Sequence, residues 1–462
     1  MGAYVVSHGG TVNRVQSGLA YLNGLRPWNG RGGFSLSELI SVLRRLGNPQ
    51  DRVPAVHIAG TNGKGSVSAA VASILGSGGY KVGLNISPHL QKINERIVID
   101  GFSCSDEFLG EFAYAVKQAA ARELVELSFH EAITAIAFLG LFEYGVEWSV
   151  IEVGLGGRLD ASNVIARPAA TAIVTISFDH QAILGDTLGK IAAEKAGIIK
   201  SGSPLITGIL GKEADAVVSK LASDVPHFKF GRDFDARIVD DRAGGKCIEY
   251  WGKEFLGAKN IGFNFKPGLL GTHQAHNLSV AASIGLALGM NKETVKAGIE
   301  GVFWPGRLEK ISVSSLNLVL DCAHNPAGID SFISFLDTSG AREIDLTFGV
   351  LDTKSWQEMV RRLRPYVKTW RLLRPESERA LPLELLKQEL TVSGSGIRNK
   401  EDLRIEVYGD DYEGCLRDLM SGEAGPSPYI TGSMYMVGRI REMLSVPERP
   451  IWRRREGTGV LC

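Results

Sequence analysis

Short apolar, β-branched runs alternate with stretches of helical length along most of the chain. "AVHIAG" (55–60) leads into "KGSVSAAVASILGSGG" (64–79) and then "KVGLNIS" (81–87); "WSVIEVG" (148–154) and "ATAIVTIS" (170–177) follow after further helix-like segments. Strands spaced by helices of this length predict a mostly parallel sheet covered on both faces. Around 228–266 the pattern turns strand-rich with glycine turns, as in "ARIVDDRAGGKCIEYWG" (236–252), and predicts β-hairpins inserted late in the first domain. A second alternation runs from "LNLVLDCAHN" (316–325) through "EIDLTFGVL", "TWRLLRP", "RIEVYG" and "SPYITGS". "FWPGRLEK" (303–310), with Pro305 and Gly306, is the expected hinge, giving domains of 1–308 and 309–462. The fold class expected is α/β throughout.

At 462 residues the chain exceeds a single core, in keeping with two domains. Hydrophobic residues make up 44% and charged residues 22%, a globular enzyme's balance rather than that of a disordered chain. Lys+Arg and Asp+Glu both number 51, so no basic excess points to nucleic acid. The basic "RRRE" (453–456) reads as solvated surface. Five scattered cysteines (104, 247, 322, 415, 462) without a CxxC pair suggest reduced thiols. The N-terminus lacks a secretory pattern, and the apolar run "AITAIAFLGLF" (132–142) is too short to span a bilayer. A cytoplasmic protein with no membrane partner is expected.

The candidate chemistry starts at "HIAGTNGKGS" (57–66). A glycine-rich turn between strand and helix exposes backbone N–H groups, and the helix N-terminus favours an anion. Lys64 can then reach outer phosphates as a point charge. The spacing is G-x-x-G-K-G-S rather than the usual G-x-x-x-x-G-K-[ST]. A glycine turn with a solvated lysine is the plain structural alternative, weakened by the flanking strand and helix. Gly65 cannot supply the hydroxyl that usually meets Mg²⁺ after the lysine, so a metal ligand must come from elsewhere.

Strand ends offer such donors, where ligands bind in an open parallel sheet. Ser87 follows the strand 82–86, Glu152 lies at the end of 148–153, and Asp179 and His180 lie beyond 170–177. Mg²⁺ favours oxygen donors, so Ser87 and Glu152 suit it, whereas imidazole is a less typical ligand. Each of these has an ordinary structural reading too: a buried acceptor for Glu152, a satisfied loop residue for His180.

In order, "GTNGKGS", "SPHL" with "NERI", "EVGLGGRLDASN", "DH" with "LGDTLGKIAAEKAGI", "HQAHNLSVA", "PGRLE", "DCAHNP" and "YITGSMYMVGRIREML" occupy nearly the whole chain. This set resembles the folylpolyglutamate synthase/dihydrofolate synthase branch of the Mur ligases. The resemblance implies a P-loop-type ATP-binding domain with a small β-rich part, followed by a Rossmann-like glutamate-ligase domain. It implies an ATP-dependent amide ligase that activates a carboxylate as an acyl phosphate and couples it to L-glutamate. The expected substrates are dihydropteroate, reduced folates, or both, and the expected state is a monomer. Matched motif by motif, Thr61, Asn62, Gly63, Lys64, Gly65 and Ser66 line the phosphates, and Asn277 contacts adenine. Arg307, Asp321 and His324 also meet ATP, which is closed in between the domains. Ser87, Glu152 and His180 bind Mg²⁺, with K⁺ as a second cation, and Lys195 is carbamylated by CO₂. Lys64, His180 and Lys195 form the implied catalytic set. Read without the resemblance, Lys195 is an exposed helix lysine.

The substrate-facing set implied is Ser128, Phe129, His130, Glu131, Leu159, Asp160 and Ala161. Here the chain departs from the family's T-x-F-E pattern: "SFHE" (128–131) carries His130 where the second aromatic stands. "FSLSELISVLRRLGNP" (34–49) lacks the usual GL-x-R, and "GVLDTKSW" (349–356) replaces DKD. Two other readings remain: another Mur-type amino-acid ligase, for which residues 1–56 leave little room for a UDP-binding domain, and a nucleotide-binding regulatory protein without ligation.

Overall fold

A computed structural model describes residues 11–26, 35–240, 246–253, 261–314, 316–391, 403–421 and 428–455. The chain divides into two compact units, one of Met1–Lys266, His276–Val302 and Pro450–Cys462, the other of Pro267–Ala275 and Phe303–Arg449.

The first unit is built on eight strands: β1 (Ala55–Ala59), β2 (Val82–Asn85), β3 (Ile97–Ile99), β4 (Phe102–Ser103), β5 (Trp148–Glu152), β6 (Ala170–Ile173), β7 (Leu205–Thr207) and β8 (His227–Lys229). Their order is β4-β3-β2-β5-β1-β6-β7-β8. β2 and β5 to β8 run parallel to β1, while β3 pairs antiparallel with β2 and β4 antiparallel with β3. Every residue of β1, β2 and β6 is buried, as a parallel sheet covered on both faces requires. The helix Lys64–Ser77 behind the glycine loop is buried from Gly65 to Gly76, so it shows no polar face. It packs on the helix Lys292–Gly301, where the Ser73 hydroxyl donates to the Gly298 carbonyl at 2.6 Å.

The pattern 170–177 predicts a longer strand than β6, which stops at Ile173. Beyond it the backbone turns to the glycine loop instead of a neighbouring strand: Thr61 N–H donates to the Thr175 carbonyl at 2.8 Å, and the Thr175 hydroxyl to the Asn62 carbonyl at 2.9 Å. The strand-rich region forms β9 (Phe234–Asp240), β10 (Lys246–Gly252) and β11 (Ile261–Phe265), a separate antiparallel sheet in the order β11-β10-β9.

The second unit holds β12 (Glu309–Val313), β13 (Leu316–Leu320), β14 (Ile344–Phe348), β15 (Val367–Leu373), β16 (Arg404–Gly409) and β17 (Tyr429–Thr431), ordered β12-β13-β17-β14-β15-β16. All neighbours are parallel except β12 with β13. Helices follow β13 to β17 in turn or precede the next strand, the pattern read from sequence. Among the described residues no helix is long and apolar enough to cross a membrane.

After the second unit the chain returns to the first. Trp452 is fully buried, its indole against Gly76 and its backbone against Gly101. Ile451 N–H donates to the Gly101 carbonyl at 2.8 Å, Arg455 N–H to Gly76 at 3.2 Å, and the Arg454 guanidinium to Gly79 at 2.9 Å. Of the basic cluster, Arg453, Arg454 and Arg455 are exposed as expected, but the segment carrying them is anchored. Trp452→Ala is expected to cost about 3–5 kcal/mol of stability. Thermal unfolding of the variant checks this, and an unchanged midpoint would show that the anchor carries no energy.

Candidate active site

The glycine loop, Ser87, Glu152 and His180 stand at or beyond the C-terminal ends of four adjacent strands, β1, β2, β5 and β6, while Lys195, Asn277 and residues 128–131 come from helices. The loop after β1 turns into its helix at Gly63, with φ +83°. A side chain there is excluded, because a Cβ would lie 2.5 Å from Asn277 Oδ1 and 2.9 Å from Val174 Cγ1. Asn277 sits inside the helix Gln274–Ala287 and is buried, which brings it against the glycine loop. Thr61 ties the loop down, its hydroxyl donating to the Ser177 carbonyl and accepting from Ser177 N–H, both at 3.1 Å. Ser66 is buried in the first turn of the helix.

Two lysines converge on one carbonyl. Lys64 Nζ donates to Gly60 at 3.1 Å and to Thr61 at 3.2 Å, while Lys195 Nζ donates to Gly60 at 3.0 Å. Lys195 is not the exposed helix lysine that its sequence context suggests; it is 4% exposed near the end of the helix Leu188–Ala196. Burial, and then the positive charge of Lys64, bring its ammonium down from the usual 10.5 to about 7. Near neutral pH much of this amine is therefore unprotonated.

Ser87 follows β2 beside a cis peptide bond to Pro88, and its Oγ is buried with no hydrogen-bond partner. Glu152 ends β5 and is buried. His180 has φ +52°, its side chain half exposed and its Nε2 3.8 Å from Asp179 Oδ1. Among the described residues no three His, Cys, Asp or Glu side chains cluster as a metal site. A cation here needs the Ser87 hydroxyl and water as well as a carboxylate, a donor set that suits Mg²⁺.

The segment 128–131 starts the helix Phe129–Glu143. Ser128 and Glu131 form a reciprocal capping box: Glu131 Oε2 accepts from Ser128 N–H at 2.8 Å and from its hydroxyl at 2.6 Å. Phe129 carries the Arg96 guanidinium over its ring at 5.1 Å, and Arg96 Nε donates to His89 Nδ1 at 2.9 Å. His130 Nε2 lies 3.2 Å from Asp160 Oδ2. Asp160 belongs to the glycine turn after Glu152, with Leu159 before it and Ala161 opening a short 3₁₀ turn. Burial opposes its charge, but the positive charge and hydrogen bond of His130 and the Ser162 hydroxyl prevail and hold its carboxyl well below the usual range.

Behind Asp160 runs a polar chain that the motif pattern does not reveal. Ser162 Oγ donates to Asp160 Oδ1 at 2.5 Å, and the His57 ring Nε2 meets Ser162 Oγ at 2.8 Å. Since the hydroxyl proton points to Asp160, His57 is the donor. Burial brings His57 down to about 4, so it stays neutral. Within "AVHIA" this histidine looks like one more strand residue, and nothing near it in sequence marks its partner.

In the second unit, "PGRLE" and "DCAHNP" are laced together. Leu308 N–H donates to Asp321 Oδ2 and Ala323 N–H to Oδ1, both at 3.0 Å. Burial raises the Asp321 carboxyl. Arg307 is half-buried, His324 Nδ1 contacts the Cys322 carbonyl at 2.9 Å, and Asn325 caps the helix Pro326–Ser339. Glu309 accepts from Gly306 N–H at 2.8 Å and pairs with Arg441 Nε at 3.2 Å, both side chains buried. That pair escaped sequence reading because 132 residues separate its members.

The Mur ligase middle domain matches residues 58–285, and the Mur ligase, glutamate ligase domain matches 306–430. The folylpolyglutamate synthase of Lacticaseibacillus casei is 32% identical over 423 residues, covering 88% of this chain and 94% of that protein. The chain belongs to the folylpolyglutamate synthase/dihydrofolate synthase family of Mur ligases. Within this family, the Bacillus subtilis (strain 168) dihydrofolate synthase/folylpolyglutamate synthase is likewise 32% identical over 424 residues, with 88% and 94% coverage. A solved structure of Mycobacterium tuberculosis folylpolyglutamate synthase complexed with ADP superposes with a TM-score of 0.81 at 27% identity, covering 95% of this chain and 100% of that one. The family is one of acid–amino-acid ligases, and this chain is such a ligase.

Proposed function

We propose that this ligase couples L-glutamate to dihydropteroate, to reduced folates, or to both, at the expense of ATP. The observation that carries the reading is the pair Lys64 and Lys195 meeting at the Gly60 carbonyl, on a glycine loop that turns into a buried helix. Cations and backbone donors at a helix N-terminus suit transfer of the γ-phosphate to a substrate carboxylate, which needs positioning and charge neutralisation more than a nucleophilic side chain. The carboxylate oxygen attacks phosphorus and ADP leaves. The glutamate amine, having lost a proton, then attacks the acyl carbon and phosphate departs.

Thr61, Asn62, Gly63, Gly65, Ser66 and Asn277 are assigned to the nucleotide, as are Arg307, Asp321 and His324. Ser87, Glu152 and His180 are assigned to Mg²⁺, which supplies charge neutralisation on the phosphates; the unpartnered Ser87 Oγ supports this. The unprotonated fraction of Lys195 is the form that takes up CO₂, and the resulting carbamate replaces a cation with an anion beside the metal. K⁺ as a second cation, a monomeric state and a cytoplasmic location belong to the same proposal.

The test is an ADP-release assay of purified protein with dihydropteroate and with tetrahydrofolate in parallel, each with ATP, Mg²⁺ and glutamate. Glutamate-dependent turnover with at least one is expected, and Glu152→Gln should raise the Mg²⁺ concentration needed. Failure with both acyl substrates overturns the substrate assignment. An unchanged Mg²⁺ titration removes Glu152 from the metal site.

A further inference from the structure

The outward face of the small sheet β11-β10-β9 holds a hollow apart from the residues assigned to ATP, Mg²⁺ and the acyl substrate. Residues two apart share a face of a strand, and the register sets them here in two rows. Trp251 of β10 lies opposite Gly262 of β11, and Glu249 of β10 stands between Arg237 of β9 and Asn264 of β11. These five residues line a cavity of about 520 Å³, a size that takes a small molecule. All of them belong to the first unit.

Gly262 makes the hollow. Among the described residues a Cβ built there meets no atom nearer than the Tyr250 carbonyl oxygen at 3.8 Å, so the position has room for a side chain and carries none. The Trp251 indole, 40% exposed, is therefore uncovered by its cross-strand partner on the β11 side. From the β9 side the Arg237 guanidinium lies over the indole, 5.8 Å from the ring centre, and pairs with Glu249. This arrangement selects the occupant. A cation already held over the indole repels a second one, so the ring suits a neutral planar partner. Arg237 is matched by Glu249, so the hollow offers no net charge to a phosphate. A carboxylate has about four acceptor sites, so Glu249 can still take N–H donors, and the Asn264 amide beside it can donate to a carbonyl. An acceptor next to a donor, along the rim of a stacking platform, matches a ring with neighbouring N–H groups and a C=O. That is the amino–oxo pyrimidine edge shared by guanine and by pterins.

We propose that this hollow is a second ligand site, in which a guanine or pterin ring stacks on Trp251 above Gly262 and is read along its amino–oxo edge by Glu249 and Asn264. Stacking supplies most of the affinity, because every such ring has a π face. The edge supplies the choice, because a ring without the matching groups leaves Glu249 or Asn264 unpaired. Adenine, which lacks the oxo group and the ring N–H, is the natural misfit.

The experiment titrates the full chain, labelled with ¹⁵N-tryptophan, with guanosine, tetrahydrofolate and adenosine, and follows the Trp251 indole N–H, assigned by its loss in Trp251→Phe. A saturable shift with guanosine, tetrahydrofolate or both is expected, with Kd on the order of 0.1–1 mM, and adenosine should bind at least about fivefold more weakly. A response to guanosine alone names a nucleotide as the source of the ring, and a response to tetrahydrofolate alone names a folate. Gly262→Val fills the hollow with a residue that strands favour. It should weaken binding at least about tenfold, with its melting curve unchanged. Asn264→Leu, at an exposed position, should weaken it about fivefold or more and serves if the valine variant does not fold. No saturable shift with either compound, adenosine binding as tightly as the better of them, or undiminished affinity in Asn264→Leu or in folded Gly262→Val overturns the proposal. Turnover plays no part in this readout, so it stands or falls separately from the substrate assignment above.

Discussion

Lys64→Ala removes ATP-dependent ligation, lowering kcat by about 10³-fold or more, while leaving the fold intact. Among the described residues Lys64 bonds only to the carbonyls of Gly60 and Thr61 in its own turn, so its replacement breaks no distant hydrogen bond there. What is lost is the one charge of the glycine loop, which the proposed function assigns to a phosphate during transfer. The substitution has a second, smaller consequence. Lys64 is the second cause, after burial, of the lowered Lys195 ammonium. With it gone, Lys195 should titrate at higher pH, and CO₂ uptake should move to higher pH with it. Steady-state ADP release and ¹³C detection of the carbamate check the two effects. Normal turnover in the variant would refute the phosphate-loop assignment.

Lys195→Met should inactivate the enzyme and stabilise it at once. The unfolded chain protonates this lysine up to about 10.5, the folded protein only up to about 7. Below pH about 7 folding therefore buries a charge that the unfolded state keeps in water, and the full penalty applies there. As pH rises from 7 to 10.5 the folded form carries a neutral amine and the penalty fades to nothing. A shift of this size is on the order of 5 kcal/mol. The bond to Gly60 lost with the ammonium offsets part of it, at about 1–3 kcal/mol. Methionine fills a similar volume without charge, so a net gain of about 2–4 kcal/mol is expected near pH 7, shrinking toward pH 10. Denaturant unfolding at several pH values measures it. A variant less stable than wild type at pH 6 would show that the buried lysine is not held at a cost. With Lys195 carbamylated as proposed above, bicarbonate-dependent activity of the wild-type enzyme is expected to rise between about pH 6 and 8, as the neutral amine becomes available.

The glycine loop, the strand ends and the two alternating sheets could be read from the chain because each depends on neighbours in sequence. "AVHIAG" followed by "KGSVSAAVASIL" dictates strand, turn and buried helix within a few residues, and β1 and its helix lie where that pattern places them. Ser87, Glu152 and His180 follow their strands for the same reason. Lys195 is legible only through the motif around it; its burial against Gly60 joins positions 135 apart in sequence and has no local cue. In "SFHE" His130 stands out only as a departure from the family pattern, because its partner Asp160 lies 30 positions away and no local cue marks the pair. Ser128 and Glu131, assigned to substrate by motif, also make a local capping box, a pattern that "SFHE" spells out on its own. The Glu309–Arg441 pair and the anchoring of Trp452 had no such spelling. Long-range polar and aromatic contacts are fixed by the assembled sheet, not by periodicity.

The anchor at Trp452 also sets an order of events. The chain passes between its two units four times, at 266/267, 275/276, 302/303 and 449/450. Everything from Phe303 to Arg449 is synthesised before the residues that cover Gly76 and Gly101. At about 5–20 residues per second, the first unit waits on the order of ten seconds for its last piece. During that interval the far end of the helix that begins at the glycine loop lies open to whatever apolar surface is nearby. The first unit is begun first and finished last, so a ribosome that stalls anywhere in the second half leaves the first half incomplete as well.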